Sequence, residues 1–304
     1  MSKPIAIITG AGIAGLATAW WLDKAGWQSI VVERAESFRA GGYVVSVAGL
    51  GYETIKHMDL LDEVKSVAHS YDDNIIKDNN GKELCRIRYG KVYGGLEALA
   101  IRRDGLAWTL AKIRTLLAGG DAIEVDLLIG ADGFRSEIRK QLFKDGDNNH
   151  LEPLGYYYSA HNFEGQVENE KNFGSMTGMH VWREDGSLSA KESQDQFEIL
   201  HGITAKAVPQ VHEAVEQAEK AGALVNMDSL TLVNLPQWSK GRVVLFGDAA
   251  HCLTLLSGQG AGIALTSSEI LGKELQKTSD VPQALRNHES KLRPAIERLQ
   301  ARSE

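Results

Sequence analysis

The sequence is short of cysteine and has no long hydrophobic run. Its 2 cysteines, Cys85 and Cys252, lie far apart in 304 residues, and nothing suggests a disulfide framework. No apolar stretch reaches the length of a membrane span. The chain begins with an apolar run that Gly10 interrupts early, unlike a signal peptide. With no repeats and no low-complexity tract, these absences favour a cytoplasmic globular protein.

The chain also lacks any concentration of positive charge. Its formal net charge is −7 and its isoelectric point is near 5.8. Lysines and arginines are scattered rather than gathered into one basic tract, which argues against nucleic acid as the main partner. A length of 304 residues allows a sizeable core and suggests one large domain or two intertwined ones. We expect a monomer or a homodimer.

The first informative feature is the stretch Gly10-x-Gly12-x-x-Gly15, which follows the apolar run Ile5–Thr9. The run predicts a strand buried on both faces, and residues 14–25 predict a helix. Glycines at this spacing allow a tight turn, close approach of the backbone to a pyrophosphate, and close packing of helix on strand. The helix amides would face the phosphate charge.

A second apolar run, residues 30–32, ends at Glu33, which lies 23 residues beyond Gly10. In dinucleotide-binding folds an acid about 20 residues after the first glycine accepts hydrogen bonds from the ribose. The order strand, turn, helix, strand and acid therefore predicts a dinucleotide site. The alternative is a glycine-rich turn without a ligand, and a Glu33 that is only a solvated strand end.

Two further apolar runs each end in an aspartate beside glycine. Gly130-Ala131-Asp132-Gly133 follows residues 125–129, and Gly247-Asp248-Ala249-Ala250-His251 follows residues 243–246. In a parallel sheet such strand ends lie along one edge, where ligands bind. Because carboxylates repel phosphates, both aspartates are expected to contact hydroxyls of a long cofactor, or phosphates through water. The alternative makes Asp132 and Asp248 only helix N-caps.

The last stretch continues into a glycine-rich turn, Gly258-Gln259-Gly260-Ala261-Gly262, which leads into a predicted helix at 263–275. The N-terminus of that helix suits negative charge. Taken in this order, the stretches indicate a site for flavin adenine dinucleotide (FAD).

These motifs resemble those of the FAD-dependent aromatic hydroxylases, the para-hydroxybenzoate hydroxylase-like monooxygenases. Residues 41–43, 49–64 and 238–242 are most similar to those of the tetracycline-inactivating enzymes. The resemblance implies an α/β fold, in which a Rossmann-like FAD-binding domain with a mainly parallel sheet is interleaved with a smaller β-sheet-plus-helix substrate domain. We assign residues 1–70, 94–150 and 237–304 to the FAD-binding domain, and 71–93 and 151–236 to the substrate domain.

The resemblance also implies a role for individual charged residues. Glu33 would hold the adenosine ribose, and Arg34 would lie along the adenine. Arg103 would contact the FAD phosphate or ribityl region, and Asp248 would hydrogen-bond the ribityl chain. Asp132 belongs to a motif that the family links to both FAD and NAD(P)H.

Backbone groups of the glycine-rich turns would complete the site. The first turn would supply Gly10, Gly12, Ile13, Ala14 and Gly15. The last turn would place the amides of Gly258, Gln259, Gly260, Ala261 and Gly262 beside the flavin pyrimidine ring. Arg39 would sit near the mobile flavin.

By the same resemblance, the protein would be an NAD(P)H-consuming monooxygenase that uses O2 to hydroxylate an aromatic or polyketide-like small molecule through a flavin peroxide. A helix N-terminus would stabilise the negative charge of reduced flavin. Because the cofactor carries the chemistry, we expect no catalytic nucleophile and no metal.

The chain departs from the family in length. Only residues 118–124 separate a predicted helix at 104–117 from the strand at 125–129, where the family has a further strand and a small meander. At about 3.3 Å per residue this segment cannot hold those elements. Residues 150–236 are also short for a full substrate sheet.

The remaining segments predict a hairpin at 71–93, with an Asn79-Asn80-Gly81 turn, and a helix at 208–221. Tyr156, Tyr157 and Tyr158 should alternate between core and exposed positions. A terminal helix at 280–304, kinked at Pro294, should pack on the parent domain through one apolar stripe, formed by Leu285, Leu292, Ile296 and Leu299.

Three function classes stay open at the level of sequence. The first is the monooxygenase just described. The second is a flavin-fold protein that binds a ligand without efficient turnover, which the shortened segments would permit. The third is a nicotinamide-only dehydrogenase, which Asp132 and Asp248 in their glycine contexts disfavour.

Overall fold

The computed structural model describes residues 2–35, 44–69, 73–77, 82–88, 98–111, 124–143, 150–166, 173–183, 196–254 and 257–302. In chain order its strands are β1 (Ile5–Thr9), β2 (Gln28–Val32), β3 (Val44–Ala48), β4 (Ala68–His69), β5 (Asp73–Lys77), β6 (Glu83–Arg88), β7 (Ala98–Arg102), β8 (Leu127–Gly130), β9 (Leu151–Gln166), β10 (Phe173–Arg183), β11 (Val225–Val233), β12 (Ser239–Lys240) and β13 (Val243–Leu245).

The helices, in the same order, are α1 (Ile13–Lys24), α2 (Leu50–His57), α3 (Leu61–Val67), α4 (Arg103–Ala111), α5 (Glu137–Leu142), α6 (Gln196–Thr204), α7 (Pro209–Lys220), α8 (Asp248–His251), α9 (Gly260–Lys277) and α10 (Val281–Gln300). None of the helices in the described ranges combines the length and the apolar character that crossing a bilayer requires.

A five-stranded sheet with the order β12-β13-β8-β1-β2 forms the centre of the fold. β1 pairs in parallel with β2 and with β8, and β13 pairs in parallel with β8. Only β12 runs antiparallel, at the edge. Ile8 and Ile129 face each other across β1 and β8 and are fully buried. The mainly parallel sheet confirms the predicted fold class.

Local sequence patterns located most of these elements. β1 begins and ends at the predicted residues, and α1, α7 and α9 lie within one to three residues of their predicted bounds. β5 and β6 form the predicted antiparallel hairpin, although its Asn79-Asn80-Gly81 turn lies outside the described residues. So do residues 112–123, which include most of the segment that is short relative to the family.

A second sheet has the order β10-β9-β11 and is antiparallel throughout. β9 lies at its centre, and α7 packs on it with the buried side chains of Val215 and Ala218. This sheet and its helix agree with the sheet-plus-helix layer that was predicted for residues 151–236. The domain boundaries themselves stay a prediction.

A third sheet, of order β3-β7-β4, was not predicted. Its strands are short, and their side chains are mostly half-buried. The alternation of polar and apolar residues that marks longer strands is therefore weak here. Because β7 runs directly into α4, this sheet fixes the position of Arg103 at the start of that helix.

The terminal helix α10 packs on the parent domain, as predicted. Leu285, Leu292 and Ile296 are buried, and Leu299 packs against the apolar cluster that contains Leu292 and Ile296. The helix contains Pro294 and continues to Gln300.

A buried carboxylate of α9 ties α10 in place. Glu274 accepts hydrogen bonds from Lys277 and Lys291 of 2.6 Å each and from Asn287 of 3.2 Å. These donors lower the pKa of Glu274 to about 2.

Candidate functional site

The turn after β1 brings two strand ends into backbone contact. Gly10 adopts φ +100°, and a Cβ built on it would lie 2.4 Å from the carbonyl oxygen of Ala131. Only glycine permits this approach, since φ is positive and no side chain fits. The amide of Gly10 also donates to the Val32 carbonyl, 2.7 Å away. The turn thus joins the ends of β1, β2 and β8.

The other two glycines of the turn serve different purposes. A Cβ on Gly15 would lie 2.0 Å from the Gly10 carbonyl oxygen, so this glycine lets α1 pack against the turn. A Cβ on Gly12 would meet no atom of the described residues within 4 Å. Gly12 is the N-cap of α1, and no side chain caps the helix there. The first amides of α1 therefore have no side-chain cap at Gly12, and amides at such a helix start stabilise an anion.

Glu33 lies against this turn. Its Oε2 accepts a hydrogen bond of 2.8 Å from the amide of Ala11, and its Oε1 accepts one of 2.8 Å from Ala35. Each carboxylate oxygen can accept more than one hydrogen bond, so these bonds are compatible with a ribose hydroxyl at the same carboxylate. Arg34, next in the chain, is exposed. Arg39 lies outside the described residues.

Asp132 has one oxygen engaged and one that no protein group contacts. Oδ2 accepts from the amides of Glu137 at 2.8 Å and Ile138 at 3.3 Å, at the start of α5. Oδ1 is buried and has no hydrogen-bond partner in the described part of the chain. Asp132 therefore caps a helix, which was the alternative interpretation. A hydroxyl contact at Oδ1 stays a prediction, and the orphaned atom suits it.

Asp248 comes directly after Gly247, which makes a second close contact with α1. A Cβ on Gly247 would lie 2.9 Å from the Cβ of Ala14, so the third loop rests on the first turn of that helix. Asp248 reaches solvent. Even so, the surrounding protein removes water from its carboxylate, and this desolvation raises the pKa of Asp248. The positive charge of Arg103 acts in the opposite direction and lowers that pKa. Two predicted site residues, Asp248 and Arg103, thus lie within electrostatic range.

The last glycine-rich turn meets α2. Gly258 has φ +62°, and Gln259 is the N-cap of α9, with no side-chain cap. A Cβ on Gly51 would lie 2.6 Å from the Cα of Gly262, so the N-termini of α2 and α9 touch. Sequence reasoning missed this contact, because Gly51 carries no motif. The half-buried Gly260 and Ala261 begin α9.

Helix α9 also packs on α1. The hydroxyls of Thr18 and Ser268 form a hydrogen bond of 2.9 Å. All three motif loops therefore surround the first turns of α1. Glu33, Asp132 and Asp248 lie around the same Gly10–Gly15 turn, which is the arrangement that the sequence predicted.

The antiparallel sheet turns one face toward these loops. Arg135, in the loop after β8, forms an ion pair of 3.0 Å with Asp228 on β11. Asp228 lies opposite Tyr158 on β9, and Tyr158 lies opposite Val181 on β10. Cross-strand partners share a face. That face also carries three exposed apolar side chains, namely Tyr156 at 43%, Met179 at 45% and Val181 at 42% exposure.

Two neutral histidines are buried behind Asp248. His251 packs on the ring of Trp238 at 4.7 Å, and burial lowers its pKa to about 4. The Nε2 of His288 is 2.8 Å from the Ser267 hydroxyl, and burial lowers the pKa of His288 to about 3. Both imidazoles therefore form part of the core beneath α8, and His251 lacks the exposure that a general base needs.

No protein-family profile matches the chain, but individual relatives match over nearly its whole length. An uncharacterised protein of Mycobacterium tuberculosis is 26% identical over 340 residues, which cover 97% of this chain and 91% of that protein. A flavin-dependent monooxygenase of Legionella longbeachae is 25% identical over 320 residues, covering 91% and 82% of the two chains. The first alignment is longer than this chain, so that relative has additional residues within the matched span.

Solved structures share the fold. The tetracycline destructase Tet(55) superposes with a TM-score of 0.80 at 24% identity, covering 99% of this chain and 88% of that structure. HpxO of Klebsiella pneumoniae, complexed with FAD and uric acid, has a TM-score of 0.79 at 20% identity, with the same coverage of 99% and 88%.

The open space beside Gly12 allows ligand binding to be separated from folding. Gly12→Leu should fold normally, because a Cβ at this position meets no atom of the described residues within 4 Å. It should weaken FAD binding at least about tenfold, or about 1.4 kcal/mol. Titration of the apoprotein with FAD and thermal unfolding of the ligand-free protein would measure the two effects. Gly202→Leu, at an equally open position in α6, is the control. Wild-type FAD affinity in Gly12→Leu would contradict the assignment.

The buried histidines should make stability depend on pH. Because His288 is neutral when folded and takes up a proton near pH 6.5 when unfolded, its stabilising contribution is complete above pH 6.5. It is lost as the pH falls toward about 3. His288→Gln should therefore reduce the difference in unfolding free energy between pH 7.5 and pH 5 by about 1 to 2 kcal/mol. Urea unfolding at both pH values would measure it.

The control for this pH effect is His212→Gln, at a position where the side chain is 43% exposed. That variant should keep the pH dependence of the wild type. An unchanged pH dependence in His288→Gln would show that His288 does not stay neutral in the folded protein.

The fold, the convergence of the three motif loops and the relatives agree with one another. Named flavin-dependent monooxygenases match the chain along most of its length, and oxygenases share its fold. Along most of its length the chain is thus similar to FAD-dependent, aromatic-hydroxylase-like monooxygenases, which are oxidoreductases.

Proposed function

We propose that the protein binds FAD, oxidises NAD(P)H and transfers one oxygen atom of O2 to a planar aromatic or polyketide-like small molecule. One observation carries the proposal: three strand-end loops converge on the first turn of α1, where Gly12 leaves the helix amides open. When bound there, FAD supplies hydride acceptance and oxygen activation. The protein contributes position, electrostatic field and exclusion of water.

The residues present suit the parts of FAD. The open amides at Gly12, Ile13 and Ala14 suit a diphosphate, which is doubly charged and needs donors. Glu33, at the end of β2, suits the adenosine ribose, as in other dinucleotide sites. These assignments are supported by the contact of Glu33 with the Gly10–Gly15 turn.

The polar groups of the other two motif loops suit the flavin half. The orphaned Oδ1 of Asp132 and the carboxylate of Asp248 suit hydroxyl groups of the ribityl chain. Arg103, within range of Asp248, offers a positive charge at the same place. The uncapped N-terminus of α9 suits the part of the flavin that becomes negative on reduction.

The substrate is proposed from the sheet face and from the relatives. Tyr156, Met179 and Val181 offer a flat apolar surface on the face that Arg135 and Asp228 turn toward the motif loops. One structural neighbour is a tetracycline destructase, a second is complexed with FAD and uric acid, and a third is a 2-methyl-3-hydroxypyridine-5-carboxylic acid oxygenase. A compact ring system fits such a surface.

A second function class stays in view: a flavin-binding protein without efficient turnover. It is favoured by length, since the first relative has additional residues within the matched span. The lost segments would leave the substrate less well enclosed, and water would then compete with the substrate.

Three measurements on the purified protein separate these classes. Visible absorption that is released on denaturation would identify a bound flavin, and its absence after FAD titration would dismiss both flavin-based classes. Oxidation of NADH or NADPH that a ring compound stimulates, with 18O from 18O2 in the product, would establish the monooxygenase. Flavin binding without such incorporation would establish the second class.

Asp248→Ala should retain less FAD than the wild type, and unchanged flavin content would remove Asp248 from the site.

The sheet face should determine the Michaelis constant for the substrate. Val181→Lys should raise KM for the ring compound at least about tenfold, about 1.4 kcal/mol, because a charge replaces apolar contact area, while FAD affinity stays the same. Leu224→Lys, at a side chain that is 61% exposed before β11, is the matched control. Steady-state kinetics would measure both variants, and an equal KM in the two would show that the substrate lies elsewhere.

A further inference from the structure

We infer that Arg139 is a positioning residue that clamps the Asp132 loop to the Asp248 loop, and so sets the spacing of the two carboxylates on the cofactor side. The inference rests on the proposed function, because it assigns the clamp to FAD binding.

The two loops leave the central sheet side by side. β8 and β13 are parallel neighbours, and the amide of Phe246 donates to the Gly130 carbonyl at 2.8 Å, just before the loops begin. Beyond this point the backbone ladder ends. The relative position of Asp132 and Asp248 therefore depends on contacts between the loops themselves.

Helix α5 is anchored to the first of these loops. Asp132 caps its first amides, and Ser136 accepts a hydrogen bond of 2.9 Å from the amide of Arg139. A helix of six residues has little stability of its own, so these caps fix its orientation. They consequently fix the point from which the Arg139 side chain projects.

The side chain of Arg139 then reaches the other loop. Its Nη1 donates to the carbonyl of Ala249 at 3.0 Å, in the residue directly after Asp248, and its Nη2 donates to the carbonyl of Phe134 in the first loop. One guanidinium group therefore bridges a carbonyl of each loop. The planar, forked geometry of arginine suits this bridge, whereas the single ammonium of lysine does not.

The burial of this charge is informative. Arg139 is 0% exposed, and removing a charge from water is costly unless it is well hydrogen-bonded. Burial lowers the pKa of Arg139, while Asp132 and the nearby Cys252 raise it. Many apolar side chains would fill the same volume without that cost. The two backbone carbonyls to which the guanidinium group donates explain why a charged, forked side chain is buried here.

The test compares Arg139→Lys with Arg293→Lys. Arg293 on α10 is the control, since it also donates to backbone carbonyls, those of Leu235 at 3.1 Å and Pro236 at 3.3 Å. Its ion pairs are with Glu289 and Glu297 of its own helix, and the ring of Trp238 lies between it and His251 of the third loop. We expect Arg139→Lys to raise the Kd for FAD at least tenfold, and Arg293→Lys to change it less than twofold. Thermal unfolding of the two ligand-free variants would show whether their stabilities are comparable.

Hydrogen–deuterium exchange on the ligand-free proteins gives a readout that does not involve FAD. Arg139→Lys should speed exchange at residues 131–136 and 247–252 and leave the rest of the central sheet unchanged. If the wild type bound no FAD, the proposed function would fail, and the exchange experiment would still test the clamp.

Two results would overturn the inference. Wild-type FAD affinity and exchange in Arg139→Lys would show that positive charge suffices and that the two-carbonyl bridge has no role. Equal losses of FAD affinity in Arg139→Lys and Arg293→Lys, at equal stability, would show a general effect of folding. Arg139→Met would separate charge from volume, since it should resemble Arg139→Lys if the bridge is what matters.

Discussion

Backbone contact at Gly10 is the constraint on which the rest of the site depends. The carbonyl of Ala131 occupies the position that a side chain on Gly10 would need, so the ends of β1 and β8 come within van der Waals distance. Gly15 lets α1 approach the same turn, and Gly247 lets the third loop rest on Ala14. Each contact exists because a Cβ is missing. Three loops from distant parts of the chain therefore meet around one helix N-terminus.

This packing also explains how acidic groups are tolerated beside a site for an anion. Glu33 and Asp132 both accept hydrogen bonds from backbone amides, so peptide dipoles rather than cations stabilise part of their charge. Asp248 also has the positive charge of Arg103 nearby, and Asp132 has that of Arg139. The acidic residues can thus contribute to the architecture of the loops and keep lone pairs for hydroxyl groups of a ligand.

Local patterns predicted the parts of the fold that form from contiguous residues. The order of β1, α1 and β2 followed from hydrophobic runs and glycine spacing, and β8, β13 and the β5–β6 hairpin followed from short apolar runs with turn signals. The third sheet, the contact of Gly51 with Gly262 and the reach of Arg139 to Ala249 were not predictable. Each joins residues far apart in sequence, with no periodicity to mark the pair. Asp132 shows a different limit, because capping a helix and binding a hydroxyl require the same residue type.

The contact between Gly51 and Gly262 has a consequence for a redox-active ring bound beside it. Two helices, α2 and α9, direct their amino ends to one point, and the atoms nearest to a Cβ on Gly51 there are backbone atoms of Gly262. Aligned peptide dipoles carry partial positive charge that does not titrate. A negatively charged ring bound there would be stabilised to the same extent at mildly acidic and mildly alkaline pH. This contribution to the midpoint potential of the ring would therefore depend on main-chain geometry alone.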